Sequence, residues 1–138
     1  MRAQVIVLTI CILLCTIGSM VSAETESIPD LVGNWTGTSV GHMKQSGYEG
    51  SLGYNYTLSI EEQKGRTFNG TLYIFGPDYN GSTGFSAAIG HDMKNFYMPQ
   101  YDQGMNFGEI ISQDEIEIIY AVTGKNGAAL IESFIREK

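Results

Sequence analysis

Cysteine, proline and tryptophan are scarce in this chain of 138 residues, which holds two, three and one of them respectively. Both cysteines, Cys11 and Cys15, lie near the N-terminus, so no disulfide framework staples the remainder. Basic residues are also few. Eight Lys and Arg face fifteen Asp and Glu, a formal charge of −7. No basic stripe is left to neutralise phosphates, which argues against nucleic acid or an anionic lipid surface as partner. Also missing are a Gly-x-Ser-x-Gly elbow, a phosphate-binding loop, a His pair at metal spacing and any stretch with helical period and caps. His42 and His91 stand alone in an expected loop and turn, and Glu61, Glu62, Glu115 and Glu117 read as strand ends or outward faces. No catalytic residue, metal ligand or cofactor is assigned, and the chain is read as a binder rather than an enzyme.

The one long apolar run is at the start. Arg2 precedes Val5 to Ile17, Gly18 interrupts, and Val21-Ser22-Ala23 has the small-residue pattern of a cleavage site. Residues 1–23 therefore read as a secretory signal peptide, and the mature protein as secreted, extracellular or at the cell surface, with no membrane association after cleavage. An uncleaved anchor would need about 20 apolar residues, more than this run supplies. Residues 24–30 read as a loosely held acidic lead, and 31–138 as one domain.

From Leu31 onward apolar and polar residues alternate in short runs bounded by Gly, Asn, Asp or Ser, the period of half-buried strands. Eight strands are expected: Gly33 to Val40, Tyr54 to Glu62, Arg66 to Phe75, Gly84 to Gly90, Asn95 to Gln100, Met105 to Ile111, Glu115 to Val122 and Ala128 to Arg136. Turns fall at Lys64-Gly65, at Asp78 to Gly81, at His91 to Lys94, at Ser112 to Asp114 and at Gly124 to Gly127. The class is all-β. An open meander leaves two unpaired edges, and closing it into an eight-stranded up-and-down barrel removes both. A β-sandwich is the alternative.

Four Asn residues carry the N-glycosylation pattern: Asn34, Asn55, Asn69 and Asn80. If the first three face solvent, alternation turns Trp35, then Tyr54, Tyr56, Leu58 and Ile60, then Phe68, Leu72 and Ile74 inward. Phe85, Ala87 and Ile89, Phe96 and Met98, and Ile116, Ile118 and Tyr120 form further inward sets. In the sixth strand Phe107-Glu109-Ile111 and Asn106-Gly108-Ile110 are both defensible inner faces, and a bulge would reconcile them. In the last, either the Leu130-Glu132-Phe134-Arg136 set or its complement faces in.

Gly33-Asn34-Trp35 at the head of the first strand, a Gly-rich loop, a meander and a basic residue in the final strand together resemble the lipocalin and avidin group of eight-stranded barrels. Leu31 to Thr36 looks like the opening of avidin-type chains. The lipocalin resemblance implies that Trp35 closes the barrel base beneath a basic side chain of the last strand, here Arg136, in a cation–π contact. Biotin pockets of avidin-like proteins are walled by several tryptophans, whereas this chain has one. Leu58 to Arg66 with Phe68-Asn69-Gly70 is also similar to small secreted proteins of methanogenic archaea, of uncharacterised role, which implies a compartment and no chemistry.

The hydroxyls of Tyr54, Tyr56 and Tyr120, with Ser39 and Trp35, supply a few polar groups inside an apolar enclosure, as a pocket for a small apolar or aromatic ligand requires. The same tyrosines would also serve as plain core with hydroxyls at an open end. The Gly-rich stretch Gly41 to Gly53 is expected to be a loop over one mouth, with the length of a lid. Two functions stand: a carrier of a small ligand, or a cell-surface or matrix module with a filled barrel and a working outer wall. Oligomeric state is not legible. N-terminal sequencing of the protein purified from its source should read from Glu24; a chain still beginning at Met1 in a membrane fraction would overturn the signal-peptide reading.

Overall fold

The computed structural model describes residues 27–50, 53–102 and 104–138. The signal segment 1–23 and residues 24–26 of the lead lie outside the described residues. Among the described residues nine antiparallel strands follow one another: β1 (Gly33–Met43), β2 (Gly47–Glu49), β3 (Asn55–Lys64), β4 (Thr67–Phe75), β5 (Asn80–Ile89), β6 (Asn95–Pro99), β7 (Met105–Ser112), β8 (Glu115–Val122) and β9 (Ala128–Arg136). Each strand from β3 to β9 pairs with its neighbour, β1 pairs with β3, and β1 also pairs with β9. Eight strands thus close a barrel, and β2 is a short addition to the far end of β1. Closure gives each of the eight strands a partner on both sides.

The alternation holds strand by strand. Trp35, Leu58, Ile60, Leu72, Phe85, Ile89, Phe96, Met98, Ile116 and Ile118 are all buried, with Tyr56, Phe68 and Ala87 beside them. The two open strands are resolved. In β7 the inner face is Asn106-Gly108-Ile110, while Phe107 and Ile111 are exposed. A register shift does occur, between Ile110 and Ser112, but at the strand's end, so it does not bring Phe107 inside. In β9 the inner set is Leu130, Glu132 and Phe134, followed by half-buried Arg136.

Inward glycines make the rings fit. A Cβ at Gly37 would lie 2.6 Å from the Phe134 ring, and one at Gly108 would lie 1.9 Å from the Phe96 ring. These two positions are therefore spaces occupied by a neighbour's aromatic side chain. The seam between β5 and β6 is short, consisting of Ala88↔Tyr97 and Ile89↔Phe96 with an isolated bridge from Phe85 to Gln100.

Two expectations change. The stretch from Gly41 is not a loop from its start: β1 runs on to Met43 and returns as β2 in a hairpin with Gly41↔Glu49 and Met43↔Gly47 in register. Gly47 supplies the positive φ of 81° that the return needs. Lys44 ties this hairpin to the β8–β9 turn through Gly127 O and Gly124 O. The lead also ends as a held segment. Gln63 binds Pro29 O and the Leu31 amide, and Arg136 binds Asp30 O and Val32 O.

The base is closed as the Trp35–Arg136 pairing requires. These residues are register partners across β1 and β9, the guanidinium carbon sits 4.3 Å from the indole centroid, and the indole N–H donates to Leu31 O at 3.0 Å. Stacking, burial and a satisfied donor coincide in one fully buried side chain. Trp35→Ala should cost about 3–5 kcal/mol. A chemical-denaturation curve within about 1 kcal/mol of wild type would show that the plug contributes little.

Candidate functional site

The other end of the barrel is built differently. It is framed by the β1–β2 hairpin, the β4–β5, β6–β7 and β8–β9 connections and the start of β3. Ser39 lies opposite Glu132 across β1 and β9, Gly37 opposite Tyr56 across β1 and β3, and Asn106 opposite Tyr120 across β7 and β8. Period two points all of these side chains inward. The apolar stack of the base thus gives way to Ser39, Tyr56, Asn106, Tyr120 and Glu132.

Within this cluster, Ser39 Oγ donates to the Tyr56 hydroxyl at 2.9 Å, and Asn106 Nδ2 donates to Met98 O at 3.0 Å. Two oxygens remain unpaired and buried, Glu132 Oε2 and Asn106 Oδ1. Glu132 is 3% exposed, and burial pushes its carboxyl from an ordinary 4.5 up to about 7. Burial, opposed by the Ser39 hydrogen bond, raises the Tyr56 hydroxyl, and burial followed by the Glu132 charge raises that of Tyr120. Phe134 meets Tyr56 edge-on at 6.5 Å. The result is an acid with one apolar and two phenolic neighbours, at the end without the tryptophan plug.

The ligand-contact residues expected from sequence divide between the two ends. Ser39, Tyr56 and Tyr120 come together around Glu132. Tyr54 lies at the rim, half-buried, and its hydroxyl bonds to Asp78, which raises its pKa. Trp35 does not join them: four residues along β1 from Ser39, or roughly 13 Å at strand rise, it belongs to the base plug. Its expected place in the ligand site is corrected accordingly. Glu132 and Asn106 were not singled out, although parity held a clue to the first: if Arg136 reaches Trp35, Glu132 faces in as well.

Hollows formed by described residues include two near the base. One, of about 300 Å³, lies over the β3–β4 hairpin and β5 against Phe68, Asn69 and Ala87; the other, of about 290 Å³, lies between the lead and Gln63. Neither touches the Glu132 cluster. Among the described residues no three His, Cys, Asp or Glu gather as metal ligands. Asn34, Asn55 and Asn80 are exposed, while Asn69 is half-buried on the outer wall. No described helix is long and apolar enough to cross a membrane.

No family model matches the chain, and no curated protein does. A solved structure that does match is described as a de novo designed fluorescence-activating β-barrel. Its TM-score is 0.52 at 15% identity, over 77% of this chain and 93% of that one. At that identity the likeness shows the fold alone. It places the chain among eight-stranded antiparallel barrels, the architecture that the lipocalin-like sequence features imply, and takes the family resemblance no further.

The isolated acid has a thermodynamic signature. Between its ordinary 4.5 and about 7, the folded state holds a proton that the unfolded chain has released, so stability falls as pH rises through that window and the full penalty is present above it. That penalty is about 3 kcal/mol. Unfolding curves should show wild type losing stability from pH 5 to 8 while Glu132→Gln stays nearly level over the same range; parallel profiles would show that Glu132 is not an uncompensated buried acid.

Proposed function

We propose that the protein is a secreted, non-catalytic carrier that takes a small, mainly apolar or aromatic compound into the Glu132 end of its barrel. The observation that supports this reading is the pair of buried, unpaired acceptors, Glu132 Oε2 and Asn106 Oδ1. Leaving a buried polar group unpaired costs about 1–3 kcal/mol, and apolar replacements of similar volume would avoid that cost. A bound molecule that supplies donors removes it. The base is sealed by Trp35 and Arg136, so entry is at the opposite end, where Tyr54 and Tyr120 are the half-buried rings that must give way. Secretion rests on the N-terminal segment. The four sequons lie outside the barrel, so glycans at Asn34, Asn55, Asn69 and Asn80 would leave the interior free.

A second reading has its own observation. Tyr97, Phe107, Ile119 and Ile131 are successive register partners across β6, β7, β8 and β9, and each is between 45% and 53% exposed. An apolar row of this kind on an outer wall marks contact surfaces, as a cell-surface or matrix module would need.

Thermal-shift screening against small apolar and aromatic compounds separates the two. A ligand that binds only the native state raises the melting temperature by mass action. Tyr56→Phe should weaken binding by about 1 kcal/mol, while Phe107→Ser on the outer wall leaves it unchanged. Absence of any stabilising compound across a broad panel overturns the carrier reading in favour of the surface module.

A further inference from the structure

We propose that the compound taken up is an amine, seated with its cationic nitrogen at Glu132 and its apolar or aromatic body against Tyr56, Tyr120 and Phe134. The inference rests on the carrier reading and specifies its ligand class. It follows from what the mouth offers in hydrogen bonding. Both unpaired buried atoms are acceptors. Of the nearby donors, Ser39 Oγ is committed to the Tyr56 oxygen and Asn106 Nδ2 to Met98 O, while the Tyr56 and Tyr120 hydroxyls keep their own hydrogens to donate. An amide flip at Asn106 would expose a donor only by breaking that 3.0 Å bond. The complementary molecule therefore brings donors for Glu132 Oε2 and Asn106 Oδ1.

Charge narrows the class further. A carboxylate or phosphate ligand would set like charge beside an acid that is 3% exposed, with Ser39, Asn106 and Glu132 the buried polar side chains and no basic one among the described residues, since Arg136 is held at the base by Trp35, Val32 O and Asp30 O. A neutral alcohol gains hydrogen bonds without an ion pair. An ammonium gains both, since a charge-assisted bond to a carboxylate is about twice as strong as a neutral one, and the ring faces of Tyr56 and Tyr120 favour a cation near them. The overall charge of −7 also draws cations rather than anions toward the protein.

Uptake carries a proton signature. The titratable groups facing Glu132 are Tyr56 on β3 and Tyr120 on β8, whose hydroxyls burial and then its charge push up, so both are neutral phenols at physiological pH, and the shift of Glu132 itself comes from burial. With its carboxyl raised to about 7, the empty site at about pH 6 holds a proton. An arriving ammonium keeps its own protons, the carboxyl proton passes to solvent, and up to one proton is released per ligand bound.

Isothermal calorimetry at about pH 6, with phenethylamine, phenethyl alcohol and hydrocinnamate as probes of nearly equal shape, tests this directly. The amine should bind at least about tenfold tighter than the alcohol, with hydrocinnamate weakest. Its heat should differ between buffers of low and high ionisation enthalpy, while the alcohol's heat should not. In Glu132→Gln the amine should fall to within about threefold of the alcohol and lose the buffer dependence. The buffer comparison on wild type decides the matter even if that variant folds poorly. Amine and alcohol binding equally, or hydrocinnamate binding best, overturns the amine assignment and leaves the carrier standing. If none of the three binds, the assignment falls, and the broad thermal-shift panel then decides whether the carrier falls with it.

Discussion

The register between β1 and β9 is the constraint on which the rest of the molecule depends. It closes the sheet, and it is continuous from Trp35↔Arg136 to Met43↔Ala128. In an antiparallel sheet a slip of one residue moves every side chain of a strand to the other face. A slip at this seam would separate the indole from the guanidinium and put Glu132 outside with Ile131 and Ser133 in its place. One pairing therefore aligns the plug at the base and the acid near the mouth, and it joins the first strand of the barrel to the last. The extra turns of Arg136 hydrogen bonding to Val32 O, Asp30 O and Gln113 O reinforce the same seam.

The barrel divides its chemistry along its axis. Toward the base the rings of Phe68, Phe85 and Phe96 meet edge-on, Trp35 stacks on Arg136, and apolar burial is nearly complete. That end supplies stability and admits nothing. Toward the other end the same alternation presents Ser39, Tyr56, Asn106, Tyr120 and Glu132, which stabilise less and are imperfectly paired. A barrel with both ends like the base would be a better-packed protein. The departure from that optimum, concentrated around one carboxyl group, is where a functional reading has physical content.

Much of this was legible in sequence because period two is a strong signal when one face is buried. Trp35, the Tyr56-Leu58-Ile60 series and the Ile116-Ile118 pair announce their facing through polar residues between them. β7 did not, since Phe107 and Ile111 are apolar and exposed while Asn106 is polar and buried. Phe107 belongs to an outer row with Tyr97, Ile119 and Ile131, a relation visible only once neighbouring strands are aligned. The same holds for β9, where Ile131 and Ile135 outside balance Leu130 and Phe134 inside. Glycine misled at Gly41 to Gly53: Gly41 reads as loop, yet a Cβ there would lie 2.3 Å from Ala129 O, so it is glycine because β9 passes close, and the strand continues through it. Glu132 stayed hidden because a lone acid in a strand is ordinarily a solvated one, and only closure shows that it is enclosed.

The account stands on Glu132 being enclosed without a partner, and the direct measure is its own titration. Carbon NMR of the side-chain carboxyl in the ligand-free protein should give a midpoint near 7, as burial without compensation requires. A midpoint near the ordinary 4.5 would contradict it, because a carboxyl that titrates normally is hydrated or paired and leaves no unmet acid in the barrel for a ligand to satisfy.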